Sequence, residues 1–526
     1  MADISVVANL LKRHAKERGH QIAFSGPRGG IVTYADLAAR TSRIAINLQA
    51  VGVTRGCRVA FMLGSCVEAV ESIFAIARAS AVGVPLDPRS SQAELAKTLK
   101  RSCADVVFTD SQRLIRVRAA IPVSDGGARG EGQVLWIDAR RFEDWATGSA
   151  SEDVIEAPCD DLGLDEPAWL QYTTGTTGEP KGVLSSQRAW MWTVVASNIP
   201  SLGLTSSDKL FWPLPLFHAF GHSLCTIGTL AIGATTHLAG DEPQVDSLQR
   251  HTETTIIAGA PASFRELARE VLSLIQPRAC VNAGAAPPAG LSAGVEALFG
   301  TSLINHYGCT ECGLIATTSP GDSYGEDSCG PVVPGIDVQI RAVTSDGQLS
   351  GEVAVGEEGE ICVRTPSFML GYDGNDLVCS QTEDGWYRTG DLGRMKQKIL
   401  TVTGRLKELI ICGGKNIHPG EVEEALRTCP DVADVIVTGL PHDMAGEVPA
   451  AFIIPKSADV VNITTLLATC RAVLPDYKVP VTFYTIDAVP HTASGKPKRL
   501  VLAGGIWQGV PHQAISHLRH VNGLIQ

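Results

Sequence analysis

Over its first 300 residues the chain alternates short apolar β-type runs with helically spaced segments. R-V-A-F-M-L-G-S (58–65) is a strand entering a turn, C-V-E-A-V-E-S-I-F-A-I-A-R-A (66–79) has helical spacing, and A-V-G-V-P-L-D-P (81–88) is the next strand and turn. The pattern returns at D-V-V-F-T-D, T-T-I-I-A-G-A-P and R-A-C-V-N-A-G-A-A-P. Strands joined through helices pair in parallel, so the alternation predicts an α/β fold with parallel-type sheets covered by helices on both faces. Such sheets bind ligands at the carboxyl ends of their strands, where several glycine-rich turns fall in this sequence.

The texture changes twice further on. From about 330 to 403, V-P-G-I-D-V-Q-I, G-E-I-C-V-R and W-Y-R-T-G-D-L-G are short strands between turns, which predicts a small β-barrel subdomain. Beyond G-R-L-K-E-L-I-I-C-G-G-K-N-I (404–417) a compact α+β pattern follows. The expected organisation is an N-terminal core over 1–403, a small mobile α+β C-terminal domain over 404–502, and a tail or linker over 503–526.

The composition narrows the function. A chain of 526 residues, 44% hydrophobic and 19% charged, has room for two or three globular domains. Its net charge of −12 argues against nucleic acid as the main partner and leaves a small anionic substrate open. Val6, Val7, Leu10 and Leu11 give the N-terminus the spacing of an amphipathic helix, and no apolar run reaches the ~18 residues of a membrane span. The 14 scattered cysteines show no secreted framework, so the expectation is a cytoplasmic protein with free thiols, monomeric or homodimeric, without membrane partners. Cys309 and Cys312 form a C-x-x-C, but a metal or redox role would want a second pair or a thioredoxin-like context.

Y-T-T-G-T-T-G-E-P-K-G (172–182) carries the chemistry of a phosphate loop. Backbone N–H groups freed by Gly175 and Gly178, with the hydroxyls of Thr173, Thr174, Thr176 and Thr177, can donate to phosphate oxygens. Its spacing is not G-x-x-x-x-G-K-[ST], and no Ser or Thr follows Lys181, which argues against a P-loop kinase.

Four more motifs follow in order: Y-G-C-T-E (307–311), Y-R-T-G-D (387–391), G-R-L-K-E-L-I (404–410) and P-H-T-A-S-G-K-P-K-R (490–499). Together with the loop, over about residues 20 to 500, the set resembles that of the acyl-adenylate-forming superfamily, which contains acyl-CoA synthetases, nonribosomal peptide synthetase adenylation domains and luciferases. The resemblance implies ATP-dependent activation of a carboxylic acid to acyl-AMP, release of pyrophosphate, and transfer to a thiol. It also implies roles. Lys496 would reach between substrate carboxylate and α-phosphate, Thr310 would donate to that phosphate, and Glu311 would hold Mg2+. The loop with Lys181 would hold the β- and γ-phosphates. Tyr307 and the backbone of Gly284, Ala285 and Ala286 would face adenine, and Asp391 and Arg405 would take the ribose. Lys407 would be the hinge about which the C-terminal domain rotates between half-reactions. In the second state Gly413 and Gly414 would line the thiol's tunnel.

W-P-L-P-L-F-H-A-F-G-H-S (212–223) speaks to the substrate. Amino-acid-activating relatives carry an Asp after this Phe to pair with the substrate ammonium, whereas Phe217 is followed here by His218. The resemblance makes His218 a gate ring between carboxylate and thiol, and places Ala219, Gly259, Ala260, Ala283, Asn305 and His306 around the acid. These small residues leave space for a ring, and His222, His306 and Asn305 offer polar contacts to ring substituents. The expected substrate is an aromatic or alicyclic acid without an α-amino group. A fatty acid, or transfer to a non-thiol nucleophile, is the alternative. No L-G-G-x-S carrier motif follows Arg499, so the thiol belongs to coenzyme A or to phosphopantetheine on a carrier protein in trans.

Overall fold

The computed structural model describes residues 4–121, 123–124, 134–148, 159–173, 181–268, 275–322, 324–325, 328–344, 347–374, 381–456, 461–489, 499 and 512–517. By packing, the chain divides into two units, one of residues 1–338 and 363–387 and the other of 339–362 and 388–526.

The first unit holds two eight-stranded sheets. In one, Lys209–Trp212, Thr235–Leu238, Ile256–Gly259, Ala279–Ala283 and Leu303–Cys309 run parallel, with Gly313–Thr317 antiparallel at an edge. In the other, Arg58–Met62, Val82–Pro85, Val106–Thr109, Val134–Ile137 and Pro167–Thr173 run parallel. Lys181–Ser186 then returns antiparallel, and Gly371–Tyr372 pairs beside it. Most residues of these strands are buried on both sides, as parallel strands under helices are. The helix Val67–Arg78 is buried all round, which its Val-Ala-Val-Ile-Phe-Ala-Ile content permits. Its two buried charges are both paired: Glu71 with Arg40, and Arg78 with Asp160 at 2.8 Å. The helix Tyr34–Ala50 starts at a Thr33/Asp36 capping box, which satisfies two otherwise orphaned backbone donors.

In the second unit the expected α+β pattern is built on one long hairpin, Val432–His442 with Gly446–Pro455. Thr482–Ile486 adds in parallel, and the helices Pro419–Arg427 and Ile463–Val473 contribute Val422, Leu426, Leu466 and Cys470 to the core beneath. Part of the segment expected as a tail, His512–His517, pairs antiparallel with Thr482–Ile486 as an edge strand.

His418 in this unit sits against Gly404 and reaches Glu358 at 3.1 Å. The His418 contact, working against the cost of burial, holds the Glu358 carboxyl down to about 2, from an ordinary value near 4.5. A depressed carboxylate stabilises the fold only while ionised. Its contribution is therefore complete above pH ~4.5 and is lost as pH falls towards ~2, a change of about 3 kcal/mol. Acid titration followed by circular dichroism should show this loss, and Glu358→Gln should flatten the titration over that window.

Candidate active site

Parallel pairing brings several expected residues to one edge of a single sheet. Gly259 ends strand Ile256–Gly259, Ala283 ends Ala279–Ala283, and Tyr307 lies near the end of Leu303–Cys309. Ala260 and the Gly284–Ala286 turn follow the first two directly, and the Asn282 amide donates to Ala285 O at 3.0 Å to hold the turn.

The P-L-F-H-x-x-G segment follows strand Lys209–Trp212 and enters a π-helical stretch, Gly221–Gly228. Such turns put backbone out of regular register and recur at functional sites. Gly221 is required by packing: a Cβ there would lie 2.8 Å from Pro215 O and 3.1 Å from Leu216 Cα. Its lack of a side chain lets the chain fold back so that His222 N–H donates to His218 O at 2.9 Å. The His218 ring stacks obliquely on Phe217, and Gln171 reaches Phe217 O at 3.5 Å.

The remaining expected pocket residues separate. His306 is buried near Phe220, with ring centroids 5.9 Å apart, and burial lowers its pKa to about 3, so the ring is neutral. Asn305 precedes it on the same strand and therefore faces the other way. There Asn305 meets the Asn282 amide at 3.3 Å and donates to Ser328 O at 3.3 Å. His222 is buried between the rings of Trp169 and Trp190, and burial takes its pKa to about 3. It packs among rings and lends the site no charge. Ala219 is half-buried against the main core.

Thr173 and Lys181 face each other across an antiparallel ladder, so the two residues that flank the phosphate-type loop are held together. Thr174, Gly175, Thr176, Thr177 and Gly178 lie outside the described residues, as does Lys496. Lys181 places its ammonium 4.9 Å from the centre of the Tyr372 ring. The Tyr372 hydroxyl donates to Glu311 Oε1 at 2.9 Å and lies 3.2 Å from the Tyr387 hydroxyl. Burial first, then Cys309 and Glu311, raise the pKa of Tyr387, so that phenol stays protonated. Thr310 and Glu311 sit in the tight turn between Leu303–Cys309 and Gly313–Thr317, and Met369 N–H donates to Glu311 O at 2.8 Å.

Tyr372 was not singled out by sequence reasoning. Its signal is the G-Y pair at 371–372, which gains meaning only once those residues pair with Lys181–Ser186. The adjoining C-x-x-C is structural: Cys312 is buried, and its thiol pKa is raised by that burial and by Cys309.

Glu311 fits a hard divalent cation, because Tyr372 orients one carboxylate oxygen and magnesium takes carboxylate oxygen beside phosphate oxygens and water. Tyr372→Phe should raise the apparent KM for MgATP about tenfold, the scale of one hydrogen bond to a charged group. The KM for the acid should hardly move. Steady-state ATP–pyrophosphate exchange separates the two.

In the second unit Asp391 and Arg405 are directly opposed across strands Tyr387–Lys396 and Ile399–Arg405, with Arg405 Nε 3.0 Å from Asp391 Oδ1. Glu360 supports the Y-R-T-G-D turn by pairing with Arg388 at 2.7 Å and accepting from Gly390 N–H at 3.1 Å. Lys407 lies in the single 3-10 turn Leu406–Glu408, and Glu408 pairs with Arg499 at 3.0 Å. Gly413 and Gly414 form the two-residue tip between Ile410–Cys412 and Lys415–Ile417.

Residues 11–373 match the family described as AMP-binding enzyme, and residues 421–496 match the AMP-binding enzyme C-terminal domain. A naringenin synthase of Pestalotiopsis fici is 46% identical over 96% of this chain, which spans 19% of that protein's length. A feruloyl-CoA synthase of an Amycolatopsis species is 31% identical over 89% of this chain and 92% of its own. Among solved structures, the o-succinylbenzoate CoA synthetase of Bacillus subtilis, in complex with its acyl-adenylate intermediate, superposes with a TM-score of 0.79. Identity there is 30%, over 94% of this chain and 97% of the other.

Proposed function

The chain belongs to the AMP-binding enzyme family, and on that premise we propose that it joins an aromatic or alicyclic carboxylic acid to a thiol through acyl-AMP. A carboxylate oxygen attacks the α-phosphorus of ATP, and the bond to the β-phosphate oxygen breaks. Pyrophosphate leaves with that electron pair. A thiolate then attacks the acyl carbon, and AMP departs.

The observation that carries the substrate class is the residue that follows Phe217, which is a histidine and not an aspartate. His218 stands where an amino-acid-activating site needs a carboxylate, and His306 and His222 are held neutral by burial. A neutral imidazole at these positions gives a substrate ammonium no opposite charge to offset its desolvation. The relatives named for feruloyl and o-succinylbenzoyl groups support an aromatic acid.

Each group acts on charge that develops in the reaction. The 172–182 loop, with Thr173 and Lys181, steadies the departing pyrophosphate, and Lys496 neutralises the approach of carboxylate to α-phosphate. Glu311, oriented by Tyr372, would hold magnesium, which offsets phosphate charge when bound. Asp391 accepts the ribose hydroxyls, with Arg405 fixing its carboxylate. Thr310 donates to the α-phosphate, and Tyr307 with Gly284, Ala285 and Ala286 borders adenine. His218 gates the thiol's approach. Lys407 is the hinge, and Gly413 and Gly414 flank the thiol in the second half-reaction.

Coenzyme A and a carrier protein present the same pantetheine thiol. Product analysis with the acid, ATP and magnesium should therefore show a thioester only when coenzyme A or a phosphopantetheinylated carrier is added. Equal consumption of acid to a non-thioester product without either would overturn the thiol as acceptor.

A further inference from the structure

Outside this site, His237, His251 and Glu253 each offer a ligand atom within 4.8 Å of the others. His237 lies on strand Thr235–Leu238, while His251 and Glu253 lie in the turn that enters strand Ile256–Gly259 at its amino end. Gly259, Ala260, Ala283 and the Gly284–Ala286 turn lie at or just beyond the carboxyl ends of their strands in this sheet. The reaction described above makes no use of this cluster.

His237 is fixed at one ring nitrogen and turned towards a carboxylate at the other. Its side chain is 5% exposed. Nδ1 is engaged by the Ser25 hydroxyl at 2.6 Å. Nε2 is buried without a hydrogen-bond partner, and the nearest charged oxygen, Glu253 Oε1, lies 3.5 Å away. A buried ring nitrogen rarely stays unsatisfied, because it has lost its water without replacement. If Nδ1–H donates to Ser25, the Nε2 lone pair faces a carboxylate, and a cation between them satisfies both. Metal-ligating histidines show this same division, with one nitrogen fixed by a neighbour and the other on the ion.

We propose that His237, His251 and Glu253 form a binding site for a borderline divalent cation of the zinc class, completed by water. Two imidazoles and one carboxylate are a zinc donor set, with the fourth position open to solvent. Tetrahedral ligation needs donor atoms about 3.4 Å apart, by the usual bond lengths. The donors here close by about an ångström. The ring of His251 is stacked on His237 at 3.9 Å, 13° from parallel, and on binding the ion must turn off it to aim its lone pair. Glu253 is 44% exposed and swings in, releasing its contact with Lys209 at 3.7 Å, whose own side chain is 41% exposed and turns to water.

Cobalt(II) titration of the chelator-treated 526-residue chain, read by visible absorption, tests this. The expected result is one equivalent with the d–d bands of a tetrahedral N/O site, displaced by zinc. His251→Ala and Glu253→Gln lie in a surface turn and should lose that equivalent while melting like the parent chain. Ser25→Ala should weaken it roughly 10- to 100-fold, as loss of a supporting hydrogen bond does. An unchanged spectrum and stoichiometry in the two ligand variants, a thiolate-type charge-transfer band, or no binding by the parent chain would each overturn the site.

Discussion

Lys496→Ala should lower carboxylate-dependent ATP–pyrophosphate exchange by roughly 10²- to 10³-fold, the usual cost of removing one preorganised group from a developing charge. Thioester formation from supplied acyl-AMP and thiol should fall far less. The asymmetry follows from the rotation proposed at Lys407, which takes Lys496 away from the reacting centre before the thiol attacks. The two half-reactions can be measured separately on the same preparation. Equal damage to both would mean that Lys496 acts throughout, or that its loss disturbs the fold. A melting curve distinguishes those two outcomes.

Gly308→Ala should be the most damaging single methyl group in the first unit's site. The new Cβ would lie 2.2 Å from Gly313 O and 2.9 Å from Leu314 Cα, both backbone atoms that cannot rotate away. Strand Leu303–Cys309 already carries a register irregularity at Tyr307/Gly308, where it meets Gly313–Thr317. Making room requires the two strands to part, which moves Thr310 and Glu311 in the turn between them. Overpacking of this kind costs about 3 kcal/mol or more. The expected result is a clear drop in melting temperature, with exchange reduced even at temperatures where the variant is folded. Normal exchange by a stable Gly308→Ala chain would show that the turn tolerates displacement and that Glu311 is not positioned through it.

The alternation of strand and helix was legible because its periodicity is local. C-V-E-A-V-E-S-I-F-A-I-A-R-A became the helix Val67–Arg78, and D-V-V-F-T-D became the strand Val106–Thr109. The family was legible from five motifs in order. Contacts that depend on pairing between distant segments were not. Nothing near Glu311 in the sequence points to Tyr372, because that contact exists only once Gly371–Tyr372 pairs with Lys181–Ser186. The opposite facing of Asn305 and His306 follows from strand alternation alone, which divides two residues expected in one pocket region. His222 looked like a polar contact for the substrate and is instead packed between Trp169 and Trp190. Two tryptophans some twenty residues apart give no local sign of meeting the same ring. The strand His512–His517 was likewise hidden, since an edge strand is defined by its partner rather than by its own pattern.

The proposed activity is adenylation of a carboxylic acid that lacks an α-amino group. ATP–pyrophosphate exchange across a panel of aryl, alicyclic, fatty and α-amino acids tests it most directly. Exchange driven by aryl or alicyclic acids, with α-amino acids near background, is the predicted result. Exchange with no acid at all, or with α-amino acids best, would contradict it.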